Sequence, residues 1–505
     1  MCRLLLIVLI LFAPLPVQAQ SLVVEPAAQS PHWSHINIFD YARSLYLASL
    51  APADYQWYAD HLDAIEVQGN GAAVRAYNPT SEMFSYWFDM SAIQTDDFTG
   101  LAESGFLHFS ENTTVQFYAP DNTTLINTVS ITGCPVTAVS GCRVQTYLWD
   151  SARYVFDPQS SAFRAWHGPR ILGSTNGYGY SNDTSTLVWL DEHAPGFSWP
   201  FSMGFQTRIT AGGGIKEFGG RKPYTGTLDE SFETDYGTAL TAWLSALATQ
   251  ATSANKKVLI NTNIEAVNTA YGFNTQATTI KGMATEGKHK PDGFTDAADY
   301  AAWITLANTI TTAGGIVDLS TEWCTTGPVG YTAGNYSSAA ERFRMWRLAS
   351  YYHFKEPTSS SGRVYFNPGF CSNNTPTIDS SAADQANWAP AYQVDVGQPV
   401  GPTYTYAAGT VGACSYTVYA RLYTKALTLV RPKDSASCNT YDDTTIATVT
   451  FASAVWILPH SGDISGQPKV HSFGLRNAES VIAMFPPQSS GAVGTLSLMG
   501  KVVVQ

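Results

Sequence analysis

Short apolar runs alternate with longer amphipathic stretches from about Trp33 to about Phe370. That alternation predicts strands separated by helices, and therefore an α/β fold around a parallel sheet. Eight segments read as strands: 35–41 (HINIFDY), 63–68 (DAIEVQ), 73–78 (AVRAYN), 186–191 (TLVWLD), 257–261 (KVLIN), 280–286 (IKGMATE), 315–322 (GIVDLSTE) and 363–367 (RVYFN). The clearest helices fall at 236–254, 296–313 and 338–354. In the last, Phe343, Trp346, Leu348 and Tyr352 recur at helical spacing between charged residues. Eight strands with helices between them predict a (β/α)8 TIM barrel, longer than the about 250 residues usual for that fold. Much of the excess is an insertion at about 89–149, whose polar and apolar residues alternate as in an added hairpin or small sheet.

The texture changes after Phe370. Residues 372–388 are rich in Ser, Asn, Thr and Ala and read as a loop, and from Gln393 the chain shows short alternating strands with no helical period. A hairpin around Thr424-Lys425 is followed by strands near 445–452, 480–485 and 494–504. These predict a C-terminal antiparallel β-sandwich. The expected division is a leader at 1–19, the barrel at 30–390 and the sandwich at 391–505.

Parallel barrels build their sites at the C-terminal ends of their strands. There the fourth strand offers Asp191 and Glu192, the fifth Asn261, the sixth Glu286, and the seventh Glu322 and Trp323. Tyr77 ends the segment read as the third strand. Asp191 and Glu286 are the candidate catalytic pair; Tyr77, Glu192, Asn261, Glu322 and Trp323 are candidate substrate-binding residues. Two carboxylates facing each other can cleave a glycosidic bond: one protonates the leaving oxygen, and the other attacks the anomeric carbon or activates water. Aromatic faces such as Trp323, Trp189 and Tyr77 suit sugar rings, although Trp189 can equally face a helix. Asp318, inside the seventh strand, reads as a buried, hydrogen-bonded residue. The Gly-rich stretch 212–220 lacks the G-K-[ST] ending of a phosphate loop and reads as a flexible loop near Asp191.

Composition narrows the function. Charged residues make up 13% and hydrophobic residues 45%, which excludes a disordered chain. The net charge of −12 argues against a nucleic-acid partner, because phosphate contacts need a basic face. The N-terminus has Arg3, an apolar run from Leu4 and small residues at Val17 and Ala19. It reads as a secretory signal peptide, too short in its apolar part to span a membrane. No membrane span is expected in the remaining chain, and the expected location is secreted or periplasmic. Six cysteines follow the leader: Cys134, Cys142, Cys324, Cys371, Cys414 and Cys438. An even number in an oxidising compartment suggests disulfides; proximity favours Cys134–Cys142, Cys324–Cys371 and Cys414–Cys438 among the 15 possible pairings. No Cys/His group has zinc spacing, and no cofactor is expected.

Several of these residues resemble a known group. LVWLDEH and KGMATEG are similar to the fourth and sixth strands of secreted TIM-barrel proteins of the hypothetical glycosyl hydrolase 15 type. The stretch from Asp395 to Gly401 (DVGQPVG), followed by Tyr419 to Pro432 (YARLYTKALTLVRP), resembles the passage that leads those proteins into a C-terminal β-sandwich. A more distant resemblance is to endo-α-1,4-polygalactosaminidases and α-galactosidase-like barrels. The resemblance implies an exported glycoside hydrolase acting on a polysaccharide or oligosaccharide, with Asp191 as nucleophile or base and Glu286 as general acid/base. The alternative is a carbohydrate-binding cell-envelope protein that keeps the barrel but not the chemistry.

Overall fold

A computed structural model describes residues 39–40 and, between 51 and 486, all but 67–70, 78, 80–81, 89, 95, 110–111, 119–122, 133–141, 149–150, 174–185, 192–206, 213, 216–229, 262–272, 286–287, 321–337, 358, 368–388, 412–413 and 435–445. Eight parallel strands form the main sheet. They are β1 (Phe39–Asp40), β2 (Ala64–Glu66), β3 (Glu82–Phe88), β9 (Leu187–Asp191), β11 (Lys257–Asn261), β12 (Gly282–Ala284), β13 (Ile316–Leu319) and β14 (Arg363–Phe366), and they neighbour one another in chain order. The intervening helices include α1 (Pro52–His61), α2 (Gly71–Arg75), α3 (Ser161–Leu172), α4 (Glu230–Ser253), α5 (Phe273–Ile280), α6 (Ala297–Thr312) and α7 (Ser338–Phe354). This is the parallel (β/α) barrel that the alternation predicts. Its strands are apolar on both faces because one face lines the barrel and the other meets the helices. Ala64, Phe84, Leu187, Trp189, Leu259, Ala284, Ile316 and Tyr365 form the inner cluster. Their strand neighbours Ile65, Met83, Val188, Leu190, Ile260, Met283, Val317 and Val364 join the outer core.

One strand lies elsewhere than expected. Residues 73–77 of that segment hold the end of α2 and a turn, and the third strand is Glu82–Phe88 (EMFSYWF). Three of the residues at 71–75 are Gly or Ala, which cannot fill a two-sided strand, whereas the aromatic run pairs with β2 and β9 and packs on both faces.

The inserted segment is β-rich as expected, but it forms parts of two small sheets. Strands β4 (Ser91–Ile93), β7 (Gln145–Leu148) and β8 (Ser151–Val155) form one. Strands β5 (Thr113–Tyr118) and β6 (Leu125–Ile131) form the other, completed by β10 (Thr207–Ala211) from beyond the fourth barrel strand. The start of the Gly-rich stretch is therefore pinned rather than loose. Gly212 has φ +94, and a Cβ there would lie 1.9 Å from the Asn112 carbonyl oxygen. Thr113 Oγ1 donates to the Gly214 carbonyl at 3.0 Å, and Ile215 bridges Phe109.

The C-terminal part is antiparallel throughout. Strands β15 (Tyr404–Val411), β16 (Cys414–Leu422), β17 (Ala426–Arg431), β18 (Ala447–Ile457), β19 (Val470–Leu475) and β20 (Glu479–Met484) lie in the order β15-β16-β17-β20-β18-β19. β18 pairs with β19 through one part of its length and with β20 through Trp456 and Ile457. The sheet thus folds over a core of Val418, Leu427, Leu429, Val449, Phe451, Val455, Leu475 and Val481. The predicted strand at 494–504 lies outside the described residues.

The resemblance-bearing motif has a structural role. In DVGQPVG, the backbone N–H of Gly397 donates to Asp395 Oδ1 at 2.8 Å, and the Gln398 N–H donates to Thr424 Oγ1 at 3.0 Å. Gly397 has φ +80, and a Cβ there would meet Thr424 Oγ1 at 2.0 Å, so the turn requires glycine. Lys425 pairs with Asp395. Arg421, only 3% exposed, donates Nη1 to the carbonyls of Tyr352 (3.0 Å), His353 (3.3 Å) and Lys355 at the end of α7, and Nε to Gly401 (3.0 Å). Tyr423 adds its hydroxyl to the Tyr352 carbonyl at 2.6 Å. A cation at a helix C-terminus is favoured by the backbone dipoles, so Arg421 and Tyr423 fasten the β-domain to the barrel.

Candidate functional site

Strand register sets one row of side chains around the barrel mouth. Phe88 pairs with Asp191, Asn261 with Ala284, Ala284 with Asp318, and Asp318 with Tyr365. Between β9 and β11 the register reaches Leu190 beside Ile260, so the next positions are Asp191 and Asn261. Residues side by side in a parallel sheet point to the same face. Ala284 and Tyr365 belong to the inner cluster, so Asp191, Asn261 and Asp318 share that inner face.

Asp191 is partly exposed and ends β9. Its Oδ1 accepts a hydrogen bond from Asn261 Nδ2 at 2.7 Å. Asn261 is fully buried, so the amide is held by its surroundings and in turn fixes one rotamer of the carboxylate. A carboxylate presented at a barrel mouth and oriented by a buried amide can serve as nucleophile, base or substrate ligand.

Asp318 is fully buried. Burial disfavours its charged form and pushes the carboxyl well above the usual carboxylate range, with Ser320 and Arg347 opposing only in part. The expectation of a buried residue holds, and the groups that face the carboxyl are the Ser320 side chain, through a hydrogen bond, and Arg347. Sequence reasoning weighed Asp318 as structural. The available signal was its spacing, two residues beyond inward-facing Ile316 and two before Ser320.

The other expected residues divide as follows. Tyr77 is 42% exposed and follows α2 in a turn leading towards β3, so it does not end a strand and is not placed with Asp191. Trp189 is fully buried inside the barrel, with its ring 5.9 Å from that of Phe84, so it neither offers a face to a sugar nor points to a helix. Glu286, Glu192, Glu322 and Trp323 lie outside the described residues. Glu286 is two positions beyond Ala284 in sequence. Cys142 and Cys414 are buried, at 3% and 2% exposure; Cys134, Cys324, Cys371 and Cys438, like the leader, lie outside the described residues. Among the described residues no helix is long and apolar enough to cross a membrane, and no group of three or more His, Cys, Asp or Glu side chains is arranged to hold a metal ion.

The chain matches no protein-family model and no curated protein. Solved structures similar to it include a cycloisomaltooligosaccharide glucanotransferase of Paenibacillus sp., complexed with cycloisomaltoheptaose, at 10% identity and a TM-score of 0.33, covering 91% of this chain and 56% of that one. The chain therefore spans little more than half of that enzyme's length. Ega3 of Aspergillus fumigatus, in complex with galactosamine, is similar at 9% identity and a TM-score of 0.32, over 69% of this chain and 96% of that one. A gamma-CGTase from alkalophilic Bacillus clarkii is similar at 10% identity and a TM-score of 0.42, over 90% and 72%.

Proposed function

We propose that the protein is an exported glycoside hydrolase that cleaves O-glycosidic bonds of an extracellular or cell-envelope saccharide with two carboxylates. The observation that carries the reading is Asp191: an acidic side chain at the end of the fourth barrel strand, on the inner face, partly open to solvent and oriented by Asn261 at 2.7 Å. In this reading Asp191 is the nucleophile or the base that activates water, and Glu286 is the general acid/base. The resemblance of LVWLDEH and KGMATEG to hypothetical glycosyl hydrolase 15 strands supports that division of roles. The chemistry asks only for proton transfer and attack at the anomeric carbon, and so needs no metal or organic cofactor.

Glu192, Glu322 and Trp323 remain candidates for contacting the substrate, and the cysteines for disulfides of an exported chain. Burial of Cys142 and Cys414 is consistent with the latter. A nucleic-acid partner stays disfavoured by the net charge of −12. Asp191→Asn and Glu286→Gln are each expected to abolish hydrolysis of a responsive glycan while leaving the circular dichroism and the melting transition unchanged. Full activity in either variant removes that residue from the mechanism. Retained glycan binding by a wild-type protein that hydrolyses nothing favours the binding-protein alternative.

A further inference from the structure

Arg347 carries no role in the reaction so far. It belongs to α7 and is buried. Its Nε donates to the His289 carbonyl at 3.1 Å, and its Nη2 donates to the Asn367 carbonyl. The guanidinium carbon lies 5.0 Å from the centre of the Phe366 ring, and the charge faces the Asp318 carboxyl. His289 follows β12, Asp318 lies in β13, and Asn367 follows β14 directly. One side chain thus reaches the C-terminal ends of the sixth, seventh and eighth barrel strands, which is the end where a parallel barrel builds its site.

The residues that flank Glu286 in sequence are tied to the same groups. Thr285, just before it, is buried; its N–H donates to the Asp318 carbonyl at 3.0 Å, and its hydroxyl donates to the same oxygen at 3.3 Å. The Lys288 N–H donates back to the Thr285 carbonyl at 2.8 Å, closing the chain on itself across the two residues between them. Lys288 is also buried, and its Nζ donates to Asp299 of α6 at 2.8 Å. The His289 ring packs against Trp346, Phe354 and Phe366, with centroids 5.9, 6.0 and 6.1 Å away. Burial, reinforced by the Arg347 charge, keeps that ring neutral. The chain on both sides of Glu286 is therefore held by Asp318 and Arg347, which face each other.

We propose that Arg347 is a positioning residue for the reaction: its guanidinium clamps the chain that carries Glu286 to the ends of the seventh and eighth strands, and so sets Glu286 against Asp191. The inference rests on the reading of Glu286 as the general acid/base. Desolvating a buried cation offsets most of what its hydrogen bonds return, so the contribution of Arg347 lies in geometry more than in net stability. Its planar fork serves two carbonyls in fixed directions, which a single ammonium on a flexible stem does not. A reacting group displaced by about 1 Å loses on the order of 100-fold in rate. A clamp on the His289 carbonyl therefore acts on the reaction without touching the substrate.

The test compares the full-length wild type with Arg347→Lys, which keeps the positive charge near Asp318 and loses the fork. Hydrogen–deuterium exchange read by mass spectrometry follows the backbone. In Arg347→Lys the amides of Thr285 and Lys288 are expected to exchange about 10-fold faster than in wild type, the equilibrium value of one lost hydrogen bond. The amides of β17 and β20, which pack against α7 from the β-domain, are expected to keep their wild-type rates. Kinetics use deacetylated galactosaminan, α- and β-glucans and galactans. On whichever the wild type hydrolyses, kcat is expected to fall about 100-fold in Arg347→Lys with KM within about twofold. Unchanged β-domain exchange shows that this fall does not come from unfolded protein. Unchanged exchange at Thr285 and Lys288, or an unchanged kcat, would overturn the proposal. Faster exchange throughout the protein would do the same, since it would give Arg347 a general structural role. Absence of hydrolysis by the wild type sinks the glycosidase reading instead, and the exchange comparison then decides the clamp by itself. Should Arg347→Lys not fold, the wild type decides: its Thr285 and Lys288 amides are expected to be protected at least about 10-fold, and unprotected exchange there would overturn the clamp.

Discussion

Arg421 offers a sharp test of how the two parts of the chain are held together. Its guanidinium serves four carbonyls: those of Tyr352, His353 and Lys355 at the end of α7, and that of Gly401. Substitution by Met keeps most of the apolar stem and removes every donor. Two of the four carbonyls keep another partner: Tyr352 accepts from the Tyr423 hydroxyl at 2.6 Å, and His353 from Thr403 Oγ1 at 2.9 Å. Lys355 and Gly401 lose the donor that Arg421 supplies. The buried Lys355 carbonyl, left without that donor, costs about 1–3 kcal/mol, and the half-buried Gly401 carbonyl, which water can reach, adds less. Relief of the buried cation offsets part of that. The expected net loss for Arg421→Met is about 2 kcal/mol, a sizeable share of the about 5–15 kcal/mol that stabilises an ordinary domain. Tyr423→Phe removes one bond and is expected to cost about 1 kcal/mol. The double variant should lose more than the sum, because the Tyr352 carbonyl is then stripped of both donors. Urea titration followed by tryptophan fluorescence reads all three. A midpoint for Arg421→Met within about 0.5 kcal/mol of wild type would refute the reasoning, since surface substitutions alone give changes that small.

Three other substitutions follow from the same geometry. Asn261→Ala frees the Asp191 carboxylate from its 2.7 Å hydrogen bond; hydrolysis is expected to fall about 100-fold with little change in KM, as for a misplaced reacting group, and unchanged kcat would deny Asn261 a positioning role. Gly212→Ala places a Cβ at 1.9 Å from the Asn112 carbonyl and at φ +94; it is expected to lower stability by at least about 1–2 kcal/mol and to expose the inserted sheet to limited proteolysis, whereas a neutral result would mean that β10 is not held as described. Asp157 is pushed up to about 6, mainly by burial. Its neutral form is therefore favoured on folding, and stability from this group is full below its unfolded value of 3.8 and lost as pH rises through about 6. Asp157→Asn should accordingly raise the melting temperature at pH 7 and change it little at pH 4; the opposite pH pattern would contradict the assignment.

The barrel was legible in the sequence because parallel strands buried on both faces leave short unbroken apolar runs. TLVWLD, KVLIN and GIVDLSTE each contain the strand found there. Helices were legible where caps reinforce the pattern: Asp296 caps α6 by accepting from the Asp299 N–H at 2.8 Å. The third strand was misplaced because AVRAYN carries the same apolar-polar texture as a short strand, and only its poverty in large residues separates it from EMFSYWF. The joining of β10 to β5 was invisible, since the pairing crosses about ninety residues of chain and no local pattern records it. The positions of Asp191 and Asn261 at the ends of β9 and β11 were legible, because position in a barrel strand follows from the run that precedes it. That Arg347 of α7 faces Asp318 was not legible, because contacts between elements distant in sequence leave no local pattern.

Reducing-sugar release by the purified protein across deacetylated galactosaminan, α- and β-glucans and galactans, with Asp191→Asn run in parallel, tests the central claim most directly. The account predicts release from at least one polysaccharide by the wild type and none by the variant. Equal release by both proteins, or none by the wild type from any polysaccharide, would contradict it.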